Sequence, residues 1–247
     1  MKATLNSNRL KIIAIIAMTL DHIAWLVFPG YARELLPLVL HGIGRLACPI
    51  MCYCIAEGYR YTKNIHQYTA RLFAFAVISH IPYMLTTVNF TDLHSLIPFY
   101  YGDVLNQTGV MWSLAWGLVM LRVANSERIQ NGWKVALILL ICLVSFPGDW
   151  SCIASLCVLS FGTNRENFKA QMLWMTFYVA IYATVYFFAI DRVYGILQMA
   201  VVPAIPVLAM YNGERGKSAR MNRFLKWAFY VYYPLHLLII GLIRIFL

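Results

Sequence analysis

The chain has 247 residues, 61% of them hydrophobic and only 12% charged, with a mean hydropathy of +0.66. That balance excludes an ordinary soluble domain and points to a polytopic membrane protein. The formal charge of +10 does not make it a nucleic-acid binder, because the cations cluster between apolar segments rather than along one extended face.

Lys2, Arg9 and Lys11 precede an apolar run, as in a signal peptide, but Asp21-His22 stands where a small-residue cleavage site would fall. The run is therefore read as a retained first transmembrane helix. In chain order, nine apolar segments are predicted, at 12–29, 41–59, 72–88, 108–121, 133–147, 150–162, 171–190, 193–211 and 227–246. The fifth and sixth are short and joined only by Pro147-Gly148-Asp149, which suits either tilted spans or a partly re-entrant hairpin. With no internal repeat or linker, residues 1–247 read as a single integral domain.

Placing the N-terminus inside puts Arg60, Lys63, Arg71, then Arg122, Arg128, Lys134, then Arg165 and Lys169, and finally Arg215–Lys226 on the same side as Lys2–Lys11. The opposite loops and the tail hold only Arg33, Arg192 and Arg244. The expectation is an all-α bundle of about nine transmembrane segments, N-terminus cytoplasmic and C-terminus outside. Trp25, Trp112, Trp133, Trp150 and Trp227 near segment ends fit interfacial belts.

The stretch KIIAIIAMTLDH carries the first candidate chemistry. Eleven helical steps bring His22 back to the face of Lys11, about 16 Å deeper. If Lys11 marks the membrane surface, Asp21 and His22 lie near mid-membrane, where ionisable groups are costly and mark function. Adjacent residues point about 100° apart on a helix, so Asp21 and His22 do not face each other, and a partner for His22 must come from another helix. In FYVYYPLHL, His236 lies ten residues past Lys226, about 15 Å deep from the same side. Asp21, His22 and His236 are thus expected around one cavity, though hydrogen-bonded packing is the alternative for an intramembrane histidine. Arg45, in HGIGRLACP, either points into the bundle or snorkels to the outer surface.

Arg60, Lys63 and Arg71 form a basic surface suited to anionic lipid or to a phosphate-bearing ligand. Glu57 is accounted for by an i,i+3 pair with Arg60. The six cysteines show no metal-ligand spacing, and Cys48 and Cys52 read as helix packing. No metal site is expected. Asp92, His94, Asp103 and Asn106 in the loop 89–107 match no catalytic motif.

KIIAIIAMTLDH, then GRLACPIMCYCIAEGYRYTKNIHQYTARL with SHIP, then YNGERG and FYVYYPLHL, together resemble the TraX family across most of the chain. That family is associated with N-terminal acetylation of conjugative pilin. The chain is also distantly similar to the acyltransferase-3 type of membrane acyltransferase, whose first helix carries a basic residue, ten residues and a histidine, matched here by Lys11 and His22. Its Arg-x-x-Arg motif is only half kept, as Tyr68-x-x-Arg71. The resemblance implies acetyl-CoA as acyl donor, a bacterial inner-membrane location, and an acceptor such as a pilin-like N-terminus or an envelope glycan.

The expected activity is transfer of acetyl from cytoplasmic acetyl-CoA to an amine or hydroxyl reached from outside. His22 is the general base, with Asp21, Arg45 and His236 around it. Lys11, Arg60, Lys63 and Arg71 hold the nucleotide phosphates. A proton-coupled transporter and a non-catalytic assembly factor of a conjugation or secretion system are the alternatives. Membrane lipid is an expected partner and nucleic acid is not; oligomerisation is left open.

Overall fold

A computed structural model describes residues 3–87 and 107–246. These fold as helices: α1 (Ser7–Val27), α2 (Leu35–Gly44), α3 (Ala47–Tyr61), α4 (Ile65–Thr87), α5 (Val110–Ala124), α6 (Asn131–Ser145), α7 (Ser151–Thr163), α8 (Phe168–Ala189), α9 (Arg192–Leu197), α10 (Ala204–Ala209) and α11 (Ala219–Phe246). A 3-10 turn, Gln198–Val201, links α9 to α10. Polar side chains start several of them: Asn6 Oδ1 accepts from the Arg9 amide, Asn167 Oδ1 from Ala170, and Asp191 Oδ1 from Tyr194.

Five helical units are long and apolar enough to cross a membrane: Ser7–Val27, Leu35–Tyr61, Phe168–Ala189, Arg192–Ala209 and Ala219–Phe246. Nine predicted segments thus become five such units plus shorter or more polar helices. At 15, 15 and 13 residues, α5, α6 and α7 reach only about 20–22 Å. The 23 residues of α4 are long enough, but its buried face includes Thr69, Ser79 and His80. Thr69 Oγ1 and Ser79 Oγ donate to the Ile65 and Phe75 carbonyls of the same helix, Arg122 donates to Thr69 Oγ1, and His80 meets Thr108, while α4 packs most extensively on α11. The loop 89–107 with Asp92, His94, Asp103 and Asn106 lies outside the described residues.

Small residues let the central helices close up. A Cβ on Gly117 of α5 would fall 3.0 Å from the Ser155 backbone of α7, and Ser155 Oγ donates to the Ser113 carbonyl at 2.6 Å. Most of α7 is buried, whereas α6 presents Trp133, Val135, Leu139 and Leu143 outward. Such a girdle of exposed apolar side chains, also on α8 and α11, is the surface of a membrane protein.

Two tethers shape the ends of the bundle. Residues 4–7 pair with 210–214: the Thr4 and Leu5 amides donate to the Met210 carbonyl, and the Asn212 amide to that of Leu5. At the other end, Pro147-Gly148-Asp149 turns α6 into α7 through two non-glycine residues in the left-handed region, Trp150 (φ 62°) and Ser151 (φ 50°). The strained turn sets the Trp150 ring against Tyr182, with centroids 5.6 Å apart.

Candidate functional site

Asp21 and His22, adjacent on α1, diverge as helix geometry requires. Asp21 faces α2, where Gly44 permits the approach: a Cβ there would sit 2.4 Å from the Asp21 Cβ. One helical turn apart on α2, His41 and Arg45 share a face, and both reach the same carboxylate oxygen. His41 Nδ1 donates to Asp21 Oδ1 at 2.8 Å and Arg45 Nη2 donates to it at 3.3 Å. Arg45 Nη1 donates to Gln198 Oε1 at 3.3 Å, and its guanidinium lies over the Trp150 ring at 5.5 Å. Arg45 is therefore turned inward and does not snorkel. The His41 ring is fully buried between Trp25 and Tyr194, and its Nε2 has no partner among the described residues.

His22 faces α11. His236 Nε2 lies 3.1 Å from His22 Nδ1, and His236 Nδ1 lies 2.9 Å from the Tyr232 carbonyl. These two distances assign the tautomers. A carbonyl only accepts, so His236 carries its proton on Nδ1 and, when neutral, offers Nε2 as an acceptor. His22 must then donate from Nδ1, which leaves its Nε2 as a lone-pair acceptor. Tyr232 stacks on His236 with an interplanar angle of 8° and shares a 2.6 Å hydroxyl contact with Thr19, so the pair is held from behind.

Asp21, His22 and Arg45 line a cavity of about 570 Å³, together with Asp149, Gln198 and the rings of Trp25, Tyr31, Tyr83, Trp150, Tyr182 and Tyr186. His236 stands behind His22. Asp149 is a further charge acting on Arg45. Outside the cavity lining, Arg33 pairs with Asp191 at 3.1 Å. The backbone amide of Tyr194 and the Arg33 guanidinium hold the Asp191 carboxyl below its usual range.

A second cavity of about 380 Å³ lies toward the other end of α1, lined by Lys11, Lys63, Arg71, Arg215, Lys226 and Glu57 among others. Arg60 is absent from it: its guanidinium is exposed and turns over the Tyr61 ring, at 4.8 Å. Glu57 accepts from the Tyr211 hydroxyl at 3.4 Å, in place of the expected pair with Arg60. Arg71 Nε is buried with no partner among the described residues. The two cavities share no lining residue. A septum separates them: on α1 the lining of the basic cavity ends at Lys11 and that of the aromatic one begins at Asp21, about 15 Å further on, whereas Arg45 and Met51 bring the two linings to within about 9 Å along the chain.

Of the residues singled out in the sequence, Asp21, His22, Arg45 and His236 come together, and Lys11, Lys63 and Arg71 meet in the other cavity. His41, Asp149, Gln198 and Arg215 join them unforeseen. His41 had a signal, since it stands four residues before Arg45 on one helix; Gln198 and Asp149 are brought in only by packing.

Comparison with known proteins bears on the same span. The family profile described as "TraX protein" matches residues 6–244. The chain belongs to the TraX family. This TraX-family protein is also 28% identical, over 97% of its length and 96% of the relative's, to "Probable fimbrial assembly protein FimC, serogroup H1" of Dichelobacter nodosus. No solved structure matches it significantly. The family assignment and the apolar helices together make it a membrane protein.

Proposed function

We propose that this TraX-family protein is a membrane acetyltransferase of the bacterial inner membrane, N-terminus inside, using cytoplasmic acetyl-CoA as donor substrate. The carrying observation is the His22–His236 pair, which leaves His22 Nε2 as a proton acceptor on a ring lining the aromatic cavity. The basic cavity supports the donor half. Lys11, Lys63, Arg71, Arg215 and Lys226 surround it with one carboxylate, Glu57, and Arg71 Nε awaits a partner, a set suited to phosphates. The pantetheine arm would run along the Lys11–His22 face of α1 to carry the thioester through the septum.

An acceptor amine or hydroxyl in the aromatic cavity would attack the acetyl carbonyl while giving its proton to His22 Nε2. Arg45, held by Asp21 and Gln198, would stabilise the oxyanion. The new C–N or C–O bond forms, the C–S bond breaks, and the proton passes from His22 to the CoA thiolate. His236 Nε2 fixes the His22 tautomer throughout.

Acetyl-CoA binding and acetyl transfer by the purified protein test this. Arg71→Ala weakens binding, whereas His22→Ala keeps binding and loses turnover, by about 10²–10⁴-fold. A second reading, a non-catalytic assembly factor, draws on the name of the Dichelobacter relative. Wild-type assembly activity in His22→Ala, with no acetyl-CoA binding by folded protein, would favour it instead.

A further inference from the structure

α11 is longer than a bilayer core needs, and its excess is charged. Its 28 residues extend about 42 Å, against about 30 Å of hydrocarbon. The lipid-facing side can be located by rotation. With Lys226 facing the basic cavity, Phe224, Val231 and Leu235 lie about 140–180° round the helix, and all three are exposed. The exposed stripe from Phe224 to Phe246 covers about 33 Å, enough to fill the hydrocarbon core by itself. Arg220 lies about 120° round the same helix and one turn beyond Phe224, about 6 Å further along the axis. It caps the apolar stripe at headgroup depth. Arg223 sits beside Phe224, about 60° round, between the stripe and the cavity.

Both arginines are exposed, neither lines the basic cavity, and neither forms an ion pair among the described residues. No acidic residue occurs between 215 and 246 to neutralise them. Exposed Met221 and Trp227 flank them, an apolar and an interfacial side chain at the level where acyl chains meet headgroups.

We infer that the first two turns of α11 form a binding site for the phosphate headgroup of an anionic phospholipid, held by Arg220 and Arg223 while its acyl chain lies along Phe224 and Trp227. The occupant is a lipid rather than a soluble anion because Arg220 terminates a lipid-facing stripe and neither arginine lines the basic cavity. This site is independent of the proposed transferase chemistry.

The test is thermal stability of the whole protein in neutral detergent, titrated with phosphatidylglycerol, phosphatidylcholine or inorganic phosphate. Phosphatidylglycerol is expected to raise Tm and the other two are not. Each basic contact near a membrane surface contributes a factor of about 5, so Arg220→Gln/Arg223→Gln should weaken phosphatidylglycerol binding roughly 25-fold. Its Tm without added lipid should match wild type, and Arg220→Lys/Arg223→Lys should retain most of the binding. Equal stabilisation by phosphatidylcholine, or by phosphate alone, overturns the inference. So does an undiminished phosphatidylglycerol response in the correctly folded glutamine variant.

Discussion

Replacing Asp21 by alanine strikes the polar cluster at its shared atom. Oδ1 of Asp21 accepts from His41 and from Arg45, whose side chains are 0% and 10% exposed. The substitution strands an imidazole N–H and a guanidinium in the interior. Removing one partner of a buried ion pair costs about 3–5 kcal/mol. Asp149 still acts on Arg45 and offsets part of this, which places the expected loss near 3 kcal/mol. For a chain of this size each kcal/mol moves Tm by roughly 2–4 °C, so Tm should fall by roughly 6–12 °C. Cys48, Cys52 and Cys157 are buried free thiols, so a thiol-reactive fluorogenic dye reports the melt in detergent without further labelling. Asp21→Ala/Arg45→Met removes the stranded charge and should recover at least half of the loss. A Tm for Asp21→Ala within about 1 °C of wild type would refute this, because the shared partner of two buried cationic side chains cannot be removed so cheaply.

Gly44→Ala forces a methyl to within 2.4 Å of Asp21 Cβ, and the overpacking should cost about 1–3 kcal/mol, read as a lower Tm by the same dye. Asp191→Ala removes the cap of α9 and should cost roughly 1 kcal/mol at neutral pH. The folded Asp191 titrates below its unfolded value of 3.8, so its contribution is complete above that pH and fades as pH falls through the lower folded value. Wild type and variant should therefore converge in Tm in the acid range, and a constant gap would contradict the assignment. Nitrogen NMR on histidine-labelled protein should find His22 protonated at Nδ1. In His236→Phe the shift of that proton should change, because among the described residues only the Met18 carbonyl remains as its partner.

Counting residues from Lys11 and Lys226 places His22 and His236 at one level, because helical rise is invariant and both helices start from the same cavity. The 100° offset between Asp21 and His22 likewise made two separate partners foreseeable. What the sequence hid was identity of contact across the bundle. Gln198 reaches Arg45 only because the helix after Asp191 breaks into a 3-10 turn, and Asp149 enters the cavity on a strained turn that reads as a plain Pro-Gly linker. The number of spans is less legible. Hydropathy sums over a window, whereas α5–α7 are short and partly enclosed by other helices, and the buried polar groups of α4 find partners in its own carbonyls, in Arg122 and in Thr108. Arg60 misled through proximity in sequence: it lies next to the cavity wall but on the far side of Tyr61.

The septum between the two cavities has an electrical meaning. A continuous aqueous passage wide enough for a solute would also conduct ions and dissipate the energised state of the membrane. Here the two cavities are divided by packed helix, about 15 Å of it on α1 with the buried Ala14, Ala17 and Met18, and about 9 Å between Arg45 and Met51. In the proposed reaction, a thin ligand threaded through such packing would act as its own plug, and a small group would change sides while the insulating layer stayed shut.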